Sequence, residues 1–534
     1  MSSKGRGQRG RDNRAEVRLL KEIRRGKPDF SIGKEGYSVM YTLGYDVGSS
    51  FIKAAIVDVE HGKLVSSASY PDKEMAINSP VAGWAEQDPQ SWWDAIVGVT
   101  RLAAARASIS LQDIRTIGIS YQMHGLVLVD RDGRVLRPSI IWCDSRATEI
   151  GRKAFSEIGE SACLREMLNS PGNFTASKLR WVKEHEPQTY AKVHKILLPG
   201  EFVALRLTGE CRTTVSGLSE GIFWNFPANE VSERLLSYYG LKKDLLSERV
   251  PSIGFQGALT KQAAGELGLK AGIPISYRAG DQPNNAFSLN VLEPGEIAAT
   301  AGTSGVVYAV SGSLNCDPQS RINAFAHVNH RPEDPRVGIL LCINGTGISN
   351  SWIRKFAGGT ELTYEGMNHL AANAPVGSKG LSVLPFGNGA ERMFRDKDIG
   401  ASIHGLNFNI HSKPELFRGV QEGVAFSFKY GIEIMQSLDI QPTVLRAGAA
   451  NMFLSPVFCK TLASIANVQI ELYNTDGAQG AARAAAVGAG LVPSVKDAFR
   501  GLSRVQCIEP EMNKADYLEA YRRWLVLLKQ MLHE

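Results

Sequence analysis

The chain has 534 residues, of which 43% are hydrophobic and 21% charged, a composition typical of globular protein. More than one domain is expected at this length, because one hydrophobic core stops growing at about 250–300 residues. The formal net charge of +6 comes from the first 30 residues, and no apolar run approaches the ~20 residues that span a bilayer, so neither a general nucleic-acid affinity nor a membrane span is expected.

Residues 1–39 are predicted to form a basic, disordered extension that begins with a Gly- and Arg-rich stretch. The extension lacks the apolar centre of a secretory signal. It could bind RNA or another polyanion, but a solvated tail is favoured, because blocks of like charge are commonly disordered. Met40 precedes the first strand-like run, so we expect the extension to be dispensable for folding. The seven cysteines are scattered without a Cys-x-x-Cys pair, which favours a reduced, cytoplasmic location.

From Tyr41 onward, strand-like and helix-like segments alternate, which predicts an α/β fold. "YTLGYDV" and "SFIKAAIVDV" are rich in β-formers, and a turn at His61-Gly62 leads into a third such run, so three antiparallel strands are expected. Asp88 and Pro89 then open a helix with apolar spacing near 3.6. "IRTIGISYQMHGLVLVD" is predicted to be strand, turn and strand.

The opening pattern returns in "EIAATAGTSGVVYAV", where a small-residue turn again joins two β-rich runs. The arrangement of a strand followed by a glycine occurs a third time, where a short strand ends at Gly448 and a helix follows. We therefore predict two domains of similar plan, spanning residues 40–290 and 291–534.

The Gly- and Ser-rich turn after Asp46 predicts a phosphate site, because consecutive backbone N–H groups in such turns face anions. Asp46 would repel a phosphate unless a cation lay between them, and Mg²⁺ bridges carboxylates to phosphates. Ordinary hairpin tightening is the alternative for one such turn. The second turn, Ala301–Gly305, favours nucleotide binding, and Arg446–Asn451 would then form a flat wall for the nucleoside.

A site for the hydroxyl that accepts a phosphoryl group is predicted at Asp281, which follows a glycine at the end of a β-rich run. A carboxylate there could take the proton of an attacking hydroxyl. The alternative is that Asp281 caps a helix that begins at Pro283. His124 could donate to a sugar hydroxyl while Met123 lies against its carbon face. The two histidines of "HVNH", His327 and His330, have no third ligand at suitable spacing, so a metal site there is disfavoured.

These residues carry a family resemblance. From about Tyr41 to near the C-terminus, the chain resembles the FGGY carbohydrate kinases, and among them most closely those that act on D-xylulose. The matching segments are "GYDVGSS", "GWAEQDPQSWW", "ISYQMHG", "IIWCDSRA", "AGDQPNNA", "AGTSGVVY", "PFGNGAERM", "AGAANMFLSPVF" and "GAQGAARAAAVGAG".

The resemblance implies two actin-like (ribonuclease-H-like) domains with a catalytic cleft between them, ATP and Mg²⁺ as cofactors, and a possible homodimer. Asp281 is then the catalytic base, and Asp46 and Asp281 lie near Mg²⁺, in part through water. Sugar contacts are expected from Met123, His124, Asp281 and Gln282. ATP contacts are expected from Ser49, Ser50, Lys53, Gly302, Thr303, Ser304, Gly448, Ala449 and Asn451.

One position departs from the pattern. Many xylulose kinases have Asn after the catalytic Asp, whereas Gln282 resembles the Asp-Gln pair of glycerol kinases. Glycerol kinases in turn carry Arg-Glu where this chain has Met123-His124, so phosphorylation of D-xylulose at its terminal hydroxyl is expected. The alternatives are an FGGY kinase of L-ribulose, L-xylulose, D-ribulose or glycerol, or an actin-like ATPase without a sugar acceptor.

Overall fold

The computed structural model describes residues 39–533, so the predictions for residues 1–38 lie outside the described residues. Its strands are β1 (Tyr41–Val47), β2 (Ile52–Asp58), β3 (Leu64–Tyr70), β4 (Glu86–Gln87), β5 (Ile114–Tyr121), β6 (Val127–Val129), β7 (Ser139–Ile140), β8 (Lys195–Leu197), β9 (Arg212–Thr213), β10 (Trp224–Asn225), β11 (Glu230–Val231), β12 (Glu248–Arg249), β13 (Ile275–Gly280), β14 (Glu296–Ala301), β15 (Gly305–Ser311), β16 (Asn323–Ala326), β17 (Val337–Ile343), β18 (Ser382–Phe386), β19 (Gly400–His404), β20 (Val444–Gly448), β21 (Ile470–Tyr473) and β22 (Arg504–Ile508).

The α-helices are α1 (Pro89–Ala107), α2 (Thr148–Ile158), α3 (Glu160–Met167), α4 (Thr175–His185), α5 (Pro187–Tyr190), α6 (Pro199–Thr208), α7 (Val215–Glu220), α8 (Glu233–Tyr239), α9 (Lys261–Leu267), α10 (Asp281–Ser288), α11 (Gly347–Gly358), α12 (Tyr364–Ala372), α13 (Lys413–Gln436), α14 (Pro456–Ala466), α15 (Gly477–Gly488) and α16 (Ala515–Leu532). Short 3-10 helices span Leu111–Asp113, Lys243–Leu245, Ser378–Gly380, Arg392–Phe394, Asn451–Leu454 and Lys496–Phe499.

The first sheet has the strand order β13-β5-β1-β2-β3. Strands β1, β2 and β3 are antiparallel neighbours, whereas β5 runs parallel to both β1 and β13. The prediction of three successive antiparallel strands is confirmed. The predicted strand-turn-strand at residues 114–130 is also present, but β6 leaves this sheet and pairs with β8.

Helix α1 covers this sheet, and its start follows the predicted chemistry. The Asp88 side chain accepts a hydrogen bond of 3.0 Å from Gln90 N, and Pro89 occupies the first turn, where its missing N–H costs nothing. Trp92 and Trp93 are almost wholly buried in the core beneath. Burying aromatic side chains of this size stabilises the layer through their large apolar area.

The second sheet repeats the plan of the first. Its order is β16-β17-β15-β14-β20-β21-β22. Strand β14 pairs antiparallel with β15, which pairs antiparallel with β17, and β20 and β21 run parallel on the other side of β14. The prediction of an α/β fold with two similarly organised halves is confirmed.

Helices α10 and α15 link the two halves. The predicted boundary at 290/291 falls between α10 and β14 and stays a prediction. Helix α15 comes from the second half of the chain, yet it packs on the first sheet: a Cβ at Gly44 would overlap Ala478 O, and one at Gly480 would lie 2.6 Å from the Ser288 Cβ of α10. Only small residues permit this close contact between helix and sheet. No helix within residues 39–533 is long and apolar enough to cross a membrane.

Candidate active site

Asp281 lies where β13 ends and α10 begins. Gly280 is the N-cap residue, and Asp281 is the first residue of the helix, so the alternative that Asp281 caps a helix starting at Pro283 is wrong. Burial, and then the charge of Asp46, raise the pKa of Asp281 from 3.8 to about 7, against hydrogen bonds from Gln282 that lower it. A carboxyl with a pKa near neutrality suits general base catalysis.

Asp46 lies near the end of β1, beside the same edge of the sheet. Its Oδ1 accepts a hydrogen bond of 2.8 Å from Ser120 Oγ, at the end of the neighbouring parallel strand β5. Burial raises the pKa of Asp46. Lys53, which pairs with Asp46 from the neighbouring strand β2, and Ser120 lower this pKa. Asp46 and Asp281 therefore belong to the carboxyl ends of parallel strands, where open α/β sheets bind ligands.

A cation would relieve the repulsion between these two carboxyls. Among residues 39–533, no three His, Cys, Asp or Glu side chains are grouped as a metal site. Two carboxylates suit Mg²⁺ nonetheless, because this ion keeps several waters and commonly takes its remaining ligands from substrate phosphates. The residues present therefore fit Mg²⁺ held at Asp46 and Asp281.

His124 follows β5 and adopts a left-handed backbone conformation, with φ of +62°. Its Nδ1 lies 3.0 Å from the carbonyl oxygen of Glu220, which can only accept, so Nδ1 carries the proton. Burial lowers the pKa of His124 to about 3, so the ring is neutral and Nε2 is an acceptor. The expectation that His124 donates to a sugar hydroxyl is corrected: through Nε2 it can accept from one.

Met123 and Gln282 both lie beside the junction of β13 and α10. Met123 is buried against Gly280, where an added Cβ would approach its Cγ to 2.5 Å. The Gln282 side chain hydrogen-bonds to the Asp281 carboxyl. The structure thus gathers Asp46, Met123, His124, Asp281 and Gln282 at one end of the first sheet.

Two buried charged residues that contact His124 were not predicted from the sequence. Glu220, the last residue of α7, is wholly buried and contacts His124. Lys178 of α4 is also wholly buried and donates hydrogen bonds of 2.9 Å to the carbonyl oxygens of His124 and Ile141, and burial lowers its pKa to about 7. No local pattern singles out both residues, because only the fold brings them to His124.

A separate cavity of about 890 Å³ opens in the second half. Of the predicted ATP residues, Gly302, Thr303 and Asn451 line it. The loop is held in place because Gly347 N and Ile348 N donate to the carbonyl oxygens of Gly302 and Thr303, at 2.9 and 3.1 Å. The volume lies within the ~300–1,000 Å³ of small-molecule sites.

Other predicted ATP residues lie outside the lining of that cavity. Gly448 ends β20, and Ala449 N donates to the Tyr473 carbonyl. Ser49, Ser50 and Lys53 belong to the β1–β2 hairpin of the first sheet, where the Ser49 carbonyl accepts from Gln87 Nε2 at 2.6 Å. The cavity wall instead includes residues that the sequence did not point to, namely Asn350, Ser351, Tyr364, Glu365, Asn368, His369 and Ala372.

The histidines of "HVNH" are engaged within the protein. His327 Nδ1 lies 2.9 Å from Tyr308 Oη, and its Nε2 lies 3.1 Å from the Val291 carbonyl oxygen. Both ring nitrogens of His327 therefore already have partners.

Comparison with known proteins gives matches along most of the chain. Residues 41–288 match the N-terminal domain of the FGGY family of carbohydrate kinases, and residues 297–489 match its C-terminal domain. The chain is 28% identical to the xylulose kinase of Escherichia coli over 92% of this chain and 99% of that protein. It is also 28% identical to the L-xylulose/3-keto-L-gulonate kinase of E. coli, over 91% and 96%. The xylulose kinase structure from Rhodospirillum rubrum superposes with a TM-score of 0.83 at 26% identity, over 92% of this chain and all of that one.

Proposed function

Because the chain belongs to the FGGY family of carbohydrate kinases, we propose that it transfers the γ-phosphate of ATP to the terminal hydroxyl of a ketopentose. D-xylulose is the proposed acceptor, with D-xylulose 5-phosphate and ADP as products. The observation that carries the proposal is Asp281, a carboxyl with a pKa of about 7 at the end of β13, within electrostatic reach of Asp46.

Asp281 acts as the base. Its carboxylate accepts the hydroxyl proton as the new oxygen–phosphorus bond forms and the bond from the γ-phosphorus to the bridging oxygen of ADP breaks. A pKa near 7 leaves the group partly ionised at neutral pH and makes it a stronger proton acceptor than an ordinary aspartate. Such a base contributes ~10²–10⁴-fold, or about 3–5 kcal/mol of the barrier.

The sugar is proposed to lie against Met123, with one hydroxyl donating to His124 Nε2 and another near Gln282. The neutral His124 ring supports this, because an acceptor nitrogen without a protein partner among the described residues suits a polyhydroxy ligand. The Met-His pair favours a ketose over glycerol. L-xylulose is an alternative acceptor, because the chain is also 28% identical to a kinase named for L-xylulose. L-ribulose and D-ribulose are further alternatives that the family resemblance leaves open.

ATP is proposed to occupy the cavity in the second half. Its phosphates would face the backbone of residues 302–304 and, across the cleft, the β1–β2 hairpin with Ser49, Ser50 and Lys53. Its nucleoside would lie near Gly448, Ala449 and Asn451. Mg²⁺ held by Asp46 and Asp281 would neutralise phosphate charge when bound. Closure of the cleft would exclude water as a competing acceptor.

A coupled ADP-release assay over D-xylulose, L-xylulose, L-ribulose, D-ribulose and glycerol tests the proposal. We expect ADP release that depends on D-xylulose, with a kcat/KM at least about tenfold above the other sugars. ADP release that is the same with every sugar and without sugar would favour an actin-like ATPase. Strongest turnover with a different ketose would replace the acceptor and keep the reaction.

A cytoplasmic location and a homodimer belong to the same proposal. The scattered cysteines support the location, and the family resemblance supports the homodimer. Size-exclusion chromatography with light scattering would separate a monomer from a dimer.

A further inference from the structure

Glu220 is a wholly buried residue that contacts His124. The proposed reaction does not use its carboxyl. Glu220 ends α7, whose N-cap Thr214 accepts a hydrogen bond of 3.0 Å from Gly217 N. The short helix places the Glu220 side chain between β5 and the end of β13. A Cβ at Gly280, the residue before Asp281, would lie 2.6 Å from Glu220 Oε2, so the carboxyl lies directly against the backbone that precedes the proposed base.

Glu220 contacts His124 through both its main chain and its side chain. Its Oε1 accepts a hydrogen bond of 3.2 Å from His124 N, and its carbonyl oxygen accepts one of 3.0 Å from His124 Nδ1. Its Oε2 lies 3.3 Å from Tyr121 Oη. Lys178 holds the remaining backbone group of His124, because its Nζ donates to the His124 carbonyl at 2.9 Å. Every polar backbone atom of His124 is thereby paired with one of these two side chains.

His124 needs this support. A left-handed backbone is uncommon for a residue other than glycine, and at φ of +62° it persists only where surrounding contacts hold it. Phe174 and Phe325 pack against the ring, with centroids at 4.6 and 5.3 Å, and fix its plane. The aromatic contacts fix the ring, whereas Glu220 fixes both the backbone turn and the proton on Nδ1.

We propose that Glu220 is a positioning residue for acceptor binding: it holds His124 in the left-handed turn that presents Nε2 to a sugar hydroxyl. The inference rests on the proposed sugar kinase function and adds a residue to its acceptor site. It predicts that loss of Glu220 weakens sugar binding and leaves ATP binding unchanged.

The surroundings of Glu220 raise the pKa of its carboxyl. Burial raises its pKa well above the ordinary value, and the nearby carboxyls of Glu201 and Asp281 raise it further, against hydrogen bonds from His124 N and Tyr121. Its Oε1 accepts from His124 N, and its Oε2 accepts from Tyr121 Oη. Glutamine has the same shape, and its amide oxygen can accept the same hydrogen bond from His124 N.

The experiment compares Glu220→Gln and Glu220→Ala in the full-length enzyme. We expect Glu220→Ala to raise the KM for the best acceptor sugar about 10- to 100-fold, while the KM for ATP stays within about twofold. Glu220→Gln should retain a sugar KM within about threefold of the wild type. Glu422→Ala is the matched control, because Glu422 is also buried but contacts Gly377, Ser378 and Arg418 instead of His124.

A sugar KM in Glu220→Ala within twofold of the wild type, or an equal loss in Glu220→Gln, would overturn the inference. If Glu220→Ala does not fold, Glu220→Asp replaces it, since the shorter side chain cannot reach His124 N and should show the same loss.

Crystal structures of the variants separate this inference from the proposed function. We expect His124 to leave the left-handed conformation in Glu220→Ala and to keep it in Glu220→Gln. If His124 keeps it in both, the positioning role is wrong whatever the activity. If the wild type shows no sugar-dependent turnover, the proposed function fails, and His124 in the two structures still decides whether Glu220 holds the turn.

Discussion

Asp46 raises the pKa of Asp281, second only to burial, although the two residues lie far apart in the chain. They come together because β1 and β13 both run parallel to β5 and end at one edge of the first sheet. An acidic pair of this kind is unfavourable for folding and useful for binding a cation and accepting a proton.

The first prediction concerns stability. The pKa of Asp281 is about 7 in the folded protein and 3.8 ordinarily, so between these values the folded protein holds a proton that the unfolded chain has lost. The free energy of unfolding therefore falls as pH rises through this window, by up to about 4 kcal/mol. Asparagine at 281 cannot ionise, so Asp281→Asn should melt several degrees above the wild type at about pH 8 and near it at about pH 4. Thermal unfolding without Mg²⁺ measures this difference.

Asp132→Asn is the matched control for that experiment. Asp132 is exposed and pairs with Arg134 at the surface, where ion pairs contribute little, so the Tm of its variant should lie close to that of the wild type. A Tm difference for Asp281→Asn that is constant across pH would contradict the raised pKa.

The second prediction concerns catalysis by Asp281. The Asn variant keeps the side-chain shape but cannot accept a proton, so kcat should fall at least about 10²-fold. ATP affinity, measured by calorimetry without Mg²⁺, should stay within about threefold, because the proposed ATP cavity lies in the second half. Near-normal turnover by the variant would remove Asp281 from the role of base.

The third prediction concerns Mg²⁺ and Asp46. Replacing one of two proposed carboxylate ligands should raise the Mg²⁺ concentration for half-maximal activity at least about tenfold in Asp46→Asn. Asp58→Asn is the control, since Asp58 ends β2 and accepts hydrogen bonds from the turn that follows. An unchanged Mg²⁺ requirement in Asp46→Asn would place the metal elsewhere.

The fourth prediction concerns the phosphate loop. A Cβ at Gly347 would overlap the Gly302 carbonyl, the group that Gly347 N hydrogen-bonds at 2.9 Å, so Gly347→Ala must displace one of these segments. We expect ATP affinity to fall at least about tenfold. Gly265→Ala is the control: it lies in α9 with nothing within 4 Å of the added atom, and its ATP affinity should match the wild type. Equal affinities in the two variants would show that this loop does not contact ATP.

Local sequence signals predicted local structure well. The hairpin at residues 41–58 follows from two β-rich runs, and α1 follows from the Asp88-Pro89 start, because turn and cap chemistry acts over a few residues. Asp281 was proposed as the base from a local signal of the same kind, a glycine at the end of a β-rich run, and the helix begins at Asp281 itself.

Long-range packing could not be predicted from these signals. Helix α15 packs on the first sheet although nearly 200 residues separate it from β13. Glu220 and Lys178 reach His124 from α7 and α4, and the cavity takes one wall from α12. Side chains that meet only through tertiary contacts leave no periodic pattern, and the tautomer of His124 depends on a carbonyl from another element.

The fate of the γ-phosphate tests the proposed phosphoryl transfer to a sugar most directly. The wild-type enzyme is incubated with Mg²⁺, D-xylulose and ATP that is radiolabelled at the γ-phosphate, and the products are separated. We expect the label to appear on the sugar, little label to appear as inorganic phosphate, and Asp281→Asn to lose the transfer. Label released only as inorganic phosphate, at a rate that does not depend on any sugar, would contradict it.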